Sequence, residues 1–212
     1  MPKHDPTEKT KQEILRTALR LFMDKGWDKV NIEDIVKEVG VTRGAFYHYF
    51  KSREALILAA VDQMFFDDNP FIEAHKQEGL NALEKLRFAL KLNLSWNFEN
   101  TGMTAELRKV MEDPIMFKSE YVTQVNTVAP YIEALIIEGN KDGSMSVAYP
   151  RQLAQLIALL PNFFLSPVLF KVSYEEFADK IAFFVQMTET LGLPIVDAEL
   201  KKEIMKAYDV FT

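Results

Sequence analysis

The chain has 212 residues, of which 48% are hydrophobic, so it is long enough to bury one large core or two small ones. It contains no cysteine, which excludes disulfide bridges, cysteine-ligated zinc and thiol catalysis. The first residues are polar, and no apolar run approaches the roughly 18–20 residues that a membrane span needs. We therefore expect a cytoplasmic protein with no secretory signal and no membrane partner.

The formal net charge of −6 is unevenly distributed along the chain. Residues 1–55 carry 11 basic and 9 acidic side chains, whereas the remainder carries 14 basic and 22 acidic ones. Attraction to phosphate requires a positive surface only locally. The distribution is thus compatible with a nucleic-acid-binding segment attached to an acidic body, although an excess of two positive charges is weak support by itself.

The first two predicted helices are bounded by clear start and stop signals. Apolar residues at helical spacing predict a first helix over about 7–25, which Gly26 ends. Asn31 can cap the next helix, with Asp34 three residues behind it in the manner of a capping box. Gly40 then provides the left-handed residue that turns the chain.

The rest of the chain also reads as helices, because strand-type alternation is absent. Thr42 caps a helix that ends near Phe50, and Ser52 caps one that reaches about residue 66. The Asp-Asp-Asn-Pro sequence at 67–70 breaks that helix, and Gly139 and Gly192 are predicted helix ends further on. The remaining helices are predicted near 79–98, 104–111, 114–138, 150–170, 174–191 and 197–210.

The segment Thr42–Phe50 has two chemically different faces when it is drawn as a helix. One face is polar and aromatic and spans about 140°; its residues are Arg43, Gly44, Tyr47 and His48. The opposite face is core-forming; its residues are Ala45, Phe46 and Tyr49, with Phe50 at the edge. Arginine makes the commonest specific base contact, to guanine, and glycine lets a helix backbone approach DNA closely. The polar face therefore suits a DNA major groove.

Three consecutive strings between residues 8 and 60 form a specific pattern: LFMDKGW, IEDIVKEVGVTRGAFYHYF and KSREAL. In this order and spacing they resemble the TetR family of transcriptional regulators. The resemblance implies an all-α fold of about 9–10 helices. Residues 7–68 would form a three-helix DNA-binding domain, with the helix-turn-helix at about 31–50, and residues 69–212 a helical ligand-binding and dimerisation domain. The position of Tyr49 is often histidine in the family, and tyrosine is a common variant there.

The residues of this pattern supply candidate DNA contacts of two kinds, to bases and to phosphates. Arg43 is the predicted base reader. Thr42 lies at a helix N-terminus, where its hydroxyl and the free amides favour a phosphate. Lys51 and Arg53, around the start of the next helix, are predicted to hold the DNA backbone. The complete predicted DNA-binding set is Asn31, Thr42, Arg43, Gly44, Tyr47, His48, Tyr49, Lys51 and Arg53.

Two consecutive helices of the body are candidates for a dimer interface. The helix predicted over 150–170 is apolar nearly all round, so it has to be covered on both sides. The helix over 174–191 carries an apolar seam; its residues are Phe177, Ile181, Phe184, Thr188 and Leu191. Two such helices from each subunit would form a four-helix interface, as the resemblance also implies. A homodimer would present two recognition helices to half-sites about 34 Å apart or somewhat more. The alternative is that both are interior helices of a monomer.

The body is rich in aromatic residues and methionine, which suit an apolar small-molecule pocket but are also common in ordinary cores. An amide within an apolar helix, such as Asn162, can orient the polar group of a ligand. The predicted ligand-binding residues are Phe65, Trp96, Met111, Phe117, Tyr121, Asn162 and Phe163. We expect neither a cofactor nor a metal site, because the chain has only three histidines, spread along its length, and no cysteine.

The sequence thus predicts a ligand-responsive, sequence-specific DNA-binding transcriptional regulator. In the main interpretation the protein is a dimeric repressor, and an apolar or amphipathic small molecule releases it from a palindromic operator in double-stranded DNA. The alternative is a DNA-binding activator or co-regulator that is controlled by a protein partner or acts without a small ligand. An enzyme is not expected, since neither Gly-Xaa-Ser-Xaa-Gly nor a glycine-rich phosphate loop occurs.

Overall fold

The structure is a computed structural model that describes residues 6–99, 101–166 and 172–211. Side chains are described there except those of Pro6, Thr7, Trp96, Asn97, Thr101, Thr104, Leu107, Arg108, Asn162, Ala207, Val210 and Phe211. Every regular element of the described residues is helical, which confirms the predicted all-α class. The helices are α1 Pro6–Lys25, α2 Ile32–Val39, α3 Arg43–Tyr49, α4 Arg53–Asp67, α5 Pro70–His75, α6 Ala82–Glu99, α7 Thr101–Met111, α8 Pro114–Thr123, α9 Ala129–Asp142, α10 Pro150–Phe163, α11 Tyr174–Thr190 and α12 Ala198–Phe211.

The chain folds into two compact units, and the first contains residues up to Asp67 together with residues 102–117. The sequence had placed residues 102–117 with the body. In this unit α1 packs against α2 and α4, and α2 packs against α3. Its core consists of fully buried side chains from five helices, among them Ile14, Phe22, Ile35, Phe46, Leu56, Ile57 and Met103.

The caps predicted from the sequence are present at α2 and α3. The side chain of Asn31 accepts a hydrogen bond from the amide of Asp34 at 2.9 Å, and the Asp34 carboxylate accepts one from the amide of Asn31 at 3.1 Å. Gly40 ends α2 with φ of 78°, a left-handed conformation that glycine adopts without steric cost. These local signals fix where α2 stops and where the chain turns into α3.

The second unit comprises residues 68–101 and 118–212. Helix α6 packs against α5, α9 and α12, while α9 packs against α10 and α12 packs against α11. Apolar side chains from these helices fill one core, among them Leu86, Ile132, Leu135, Ile136, Ile157, Phe177, Ile181 and Leu200. No helix of the described residues combines the length and apolar composition that crossing a bilayer requires.

The connection between α9 and α10 is fixed to the end of α11. The amide of Ser146 donates to the carbonyl oxygen of Gly192 at 2.9 Å. The side chain of Asn140 exchanges two hydrogen bonds with the backbone of Val147, both of 2.8 Å. Gly192 has φ of 82°, and a Cβ atom at this position would collide with the carbonyl oxygen of Ser146. Glycine is therefore required here both by the backbone angle and by the close approach.

Two regions are more finely divided than the sequence predicted. The helix predicted over 114–138 is α8, a π-helical segment at Gln124–Val128, and α9. The predicted helix end at Gly139 was wrong, because α9 continues to Asp142 and ends at Gly143, which has φ of 80°. Pro130 lies in the first turn of α9 and has no amide hydrogen, and the amide of Ala129 donates to Gln124, five residues back. The break at 67–70 also starts the short helix α5, because the side chain of Asn69 caps it by accepting a hydrogen bond from the amide of Phe71 at 2.9 Å. The side chain of Phe71 is buried.

The interface seam predicted on α11 lies largely in the core of the chain itself. Four of its five residues are at most 4% exposed, namely Phe177, Ile181, Phe184 and Thr188, whereas Leu191 is 46% exposed. The assignment of these four residues to a contact between subunits was therefore wrong. A periodic apolar seam shows that one helix face is buried, but it does not show what covers it.

Candidate nucleic-acid interface

Helix α3 is only seven residues long and is held at both ends. The hydroxyl oxygen of Thr42 accepts a hydrogen bond from the amide of Ala45 at 3.1 Å. The amide of Phe50 donates to the carbonyl oxygen of Phe46 at 2.9 Å. Phe46 and Phe50 are buried and attach the helix to the core. A helix this short is unstable alone, so its packing against the core stabilises it.

The two faces of α3 are divided as the sequence predicted. The exposed side carries Arg43, Gly44, Tyr47 and His48. The other side carries the half-buried Ala45 and Tyr49 and the fully buried Phe46. Side chains that can donate hydrogen bonds to bases and phosphates are therefore collected on one surface of about two helical turns.

Arg43 lies at the N-terminal end of this surface. Its Nη1 atom lies 2.5 Å from Oε1 of Glu33, in the first turn of α2. A hydrogen bond with the Tyr47 side chain and the negative charge of Glu33 raise the pKa of Arg43 above its ordinary value. Both partners of the ion pair are more than half exposed, and exposed pairs contribute little stability. Arg43 is thus a charged donor that can exchange Glu33 for a base edge at small cost.

The predicted phosphate contacts flank this arginine. Thr42 caps α3, and its hydroxyl hydrogen can be donated to a phosphate. Lys51 is exposed beyond the other end of α3, where its Nζ atom donates to the carbonyl oxygen of Tyr47 at 3.3 Å. Asn31 is exposed as well, but its amide oxygen is used as the cap of α2. The rings of His48 and Tyr49 meet edge to face, with centres 5.0 Å apart.

Arg53 requires a correction, because the structure turns its guanidinium inward instead of toward a DNA backbone. Its side chain is 23% exposed, and its Nη1 atom donates to Glu106 at 2.9 Å. The other two nitrogens donate to main-chain carbonyl oxygens, those of Val30 at 3.0 Å and of Trp27. Because its three nitrogens are bonded within this unit, Arg53 is not a candidate phosphate contact.

Glu106 is a buried partner of Arg53 that the sequence analysis did not predict. It is 3% exposed and lies between Met103 and Val110, which are each 1% exposed. The spacing of these three positions places an acidic side chain within the buried stripe of α7. An acid in an apolar helical stripe is a signal that sequence analysis can detect, because a buried charge requires a partner.

The predicted ligand-binding residues divide between the two units. Phe65, Met111 and Phe117 belong to the first unit, and Tyr121 and Phe163 to the second. The structure brings Tyr121 and Phe163 together, with ring centres 6.3 Å apart. The predictions for Trp96 and Asn162 concern side chains that lie outside those described.

A second exposed surface, of apolar character, lies at the end of α10 and on α11. Phe164 and Phe183 are 38% and 56% exposed, and their ring centres are 6.3 Å apart. A shallow depression continues along α11; it is lined by Phe183, Gln186, Met187, Thr190 and Leu191. We call Phe164 and these five residues the outer apolar surface.

Two short helices joined by a glycine turn, the second with an arginine-bearing exposed face, define a DNA-binding protein of the helix-turn-helix class. Residues 14–60 match the family model for bacterial regulatory proteins of the tetR family, and residues 99–187 match the model for the tetracyclin repressor-like C-terminal domain. The chain belongs to the TetR family of transcriptional regulators.

Relatives agree with this assignment, and a solved structure has a similar fold. The uncharacterized HTH-type transcriptional regulator YerO of Bacillus subtilis is 46% identical over 52 residues, which are 24% of this chain and only 18% of YerO. The transposon Tn10 TetC protein of Escherichia coli is 27% identical over 196 residues, covering 89% of this chain and 93% of TetC. The crystal structure of RolR with its ligand resorcinol matches with a TM-score of 0.63 and 16% identity, covering 93% of this chain and 94% of RolR. At that identity the likeness to RolR concerns the fold alone.

Proposed function

We propose that this chain is a ligand-responsive repressor that binds a palindromic operator as a homodimer and leaves it when a small molecule binds the body. The observation that carries the proposal is the exposed face of α3, on which Arg43, Tyr47 and His48 lie on one side of a capped helix. A helix with this face fits the width and the donor–acceptor chemistry of the major groove. A cytoplasmic location goes with this role.

The roles of the individual residues follow from their positions on the helix. Arg43 would make a bidentate contact to guanine, and Gly44 would let the backbone of α3 approach the bases. Tyr47 would pack on a thymine methyl group or bond a phosphate. Thr42 and Lys51, at opposite ends of α3, would hold phosphates and set the register of the helix in the groove. Three further predicted contacts would bind the DNA sugar-phosphate backbone beside Thr42 and Lys51. They are Asn31, His48 and Tyr49.

The outer apolar surface supports the dimer. Its more exposed phenylalanine, Phe183, is 56% exposed, and Leu191 at its far end is 46% exposed. Contiguous exposed apolar side chains favour association with another protein surface. A second copy of the chain, related by two-fold symmetry, would place a second α3 on the neighbouring half-site.

A small-molecule effector is supported by the family and by the aromatic pair of Tyr121 and Phe163 in the second unit. The neighbouring fold of RolR holds resorcinol, an aromatic ligand. In this proposal the effector favours a dimer whose recognition helices do not match the operator spacing. Effector and operator must then weaken each other's binding by the same factor.

The first test is selection of DNA duplexes from a random library by the purified full-length chain. We expect enrichment of an inverted repeat and binding of one dimer per repeat, measured by fluorescence anisotropy and light scattering. A compound that raises the melting temperature of the chain should also release the selected duplex. No enrichment at low ionic strength would reject DNA reading. Compounds that stabilise the chain without releasing DNA would favour a regulator that does not respond to a small ligand.

A further inference from the structure

The buried carboxylate of Glu106 links helix α7 to Arg53, the first residue of α4. The Glu106 side chain is 4% exposed. The Oε2 atom accepts a hydrogen bond from Nη1 of Arg53 at 2.9 Å, and Oε1 pairs with Nζ of Lys109. Arg53 and Glu106 are 53 positions apart in the sequence, so this contact links two distant parts of the chain.

Arg53 extends this contact to the connection between α1 and α2. Its Nε atom donates to the carbonyl oxygen of Val30 at 3.0 Å, and its Nη2 atom donates to that of Trp27. The guanidinium carbon lies 5.9 Å from the ring centre of Phe22, which stacks on Trp27 with centres 4.6 Å apart. Because the guanidinium is a rigid planar fork, the carboxylate on one edge orients the donors on the other.

The carbonyl groups held by Arg53 lie immediately before the recognition elements. Val30 precedes Asn31, the cap of α2, and Glu33 in the first turn of α2 contacts Arg43 on α3. Helix α2 packs against α3, so a displacement at Val30 is transmitted to both helices. A binding surface that is misplaced by roughly 1 Å loses its productive geometry.

We propose that Glu106 is a positioning residue for DNA recognition: it orients Arg53, and Arg53 fixes the connection from which α2 and α3 extend. The inference rests on the proposed DNA-reading role of α3. Glu106 does not touch DNA in this arrangement. Through Arg53 it gives α7 an influence on the position of α3, although α7 lies outside the helix-turn-helix.

The test compares Glu106→Gln with Glu112→Gln. Glutamine keeps the size of the side chain and removes its charge, and Glu112 is an exposed acid just beyond the end of α7. Each full-length protein is titrated, far below its melting temperature, into a duplex selected by the wild type and into a scrambled duplex. We expect Glu106→Gln to lower the preference for the selected duplex about tenfold, as for coupled buried pairs, and Glu112→Gln to change it by less than about twofold.

Two further measurements distinguish positioning from general stability. Hydrogen exchange in Glu106→Gln should rise mainly over residues 26–31, and the double variant with Arg53→Gln should bind no worse than the weaker single variant. Should Glu106→Gln not fold, Arg53→Lys, which keeps the charge and loses the fork, carries the same expectation. Unchanged preference, additive effects or exchange that rises throughout the chain would overturn the inference. A wild type that selects no duplex would overturn the proposed function, and this inference with it.

Discussion

Helices α3 and α11 each bury one face, but their exposed faces differ in chemistry. The buried faces are alike, since Phe46 on α3 and Phe184 on α11 are both at most 4% exposed. The exposed face of α3 carries arginine, tyrosine and histidine, whereas that of α11 carries Phe183 and Leu191. Buried faces account for the fold, and exposed faces indicate the partner. Hydrogen-bond donors suit DNA, and apolar side chains suit another protein surface.

Each unit also contains an acidic side chain with a shifted pKa, and the two shifts have opposite directions. Burial alone would raise the pKa of Glu106 in the first unit, but hydrogen bonds from Lys109 and Arg53 outweigh it and lower the pKa. In the second unit, burial raises the pKa of Glu120, and a hydrogen bond from Gln124 at 2.7 Å opposes this only in part. The first acid thus stabilises the fold as an anion, whereas the second is destabilising as an anion.

The largest effect is expected at the exposed apolar face of α11. Phe183→Asp places a charge on the outer apolar surface and should weaken dimerisation by about 3 kcal/mol or more, since an unpaired charge would be buried. Operator binding should fall as well, because the two half-sites are no longer linked. Light scattering against concentration measures the change. Tyr149→Asp, at an aromatic residue that is 72% exposed on the same unit, is the control and should remain dimeric. A Phe183→Asp dimer of unchanged affinity would remove this surface from the interface.

On the exposed polar face of α3, Arg43→Ala should weaken the free energy of specific DNA binding by about 1–3 kcal/mol and relax the preference at one base position. The reason is the loss of a bidentate contact to a base edge. Selection with the variant, followed by anisotropy on single-base substitutions, gives both quantities. Lys201→Ala, at an exposed cation of α12, removes the same charge far from α3 in sequence and should bind like the wild type. An equal loss on every sequence would show that Arg43 contacts phosphate instead.

The contrast between the two acids can be tested through pH. Glu120→Gln should raise the free energy of unfolding at neutral pH by about 1 kcal/mol, a size typical of single substitutions. The raised pKa of Glu120 means that ionisation is penalised in the folded state; the penalty is complete above that pKa and absent below the ordinary value of about 4.5. The advantage of the variant should therefore disappear as the pH falls toward 4. Urea unfolding at several pH values measures it, and an advantage independent of pH would contradict this origin.

The smallest effect is expected at Lys51. Lys51→Ala should weaken all duplexes by a similar modest factor and reduce the slope of log affinity against log salt by about 1, because one phosphate contact is lost. Titrations at several salt concentrations measure the slope. Glu54→Gln changes the charge close to Lys51 and serves as the control. Its slope of log affinity against log salt should not fall below that of the wild type. A loss confined to the selected duplex would assign Lys51 to base reading.

The sequence predicted the helix-turn-helix well because its signals are local. Asn31, Gly40 and Thr42 each determine a helix end through their own side chain or backbone angle, and the observed ends of α2 and α3 agree within a residue. The exposed face of α3 follows from helical periodicity alone.

The direction of Arg53 was not predictable in the same way. Its side chain points inward because of Glu106, which is 53 positions away in the sequence, and no local pattern specifies such a contact. The seam on α11 failed for a related reason, since its period is the same whether the chain or a second copy covers it. Long-range packing determines the direction of Arg53 and the surface that covers the seam. The spacing of residues in the sequence does not specify such packing.

Gly192 restricts how the second unit can diverge during evolution. Its missing side chain leaves room for the carbonyl group of Ser146, so every single-step replacement by another amino acid meets both a steric and a conformational barrier. A lineage that lost this glycine would have to rebuild the loop before α10 at the same time. Among distant homologues, glycine at this position should therefore mark those that retain the same loop, even where the remaining sequence of the body has changed beyond recognition.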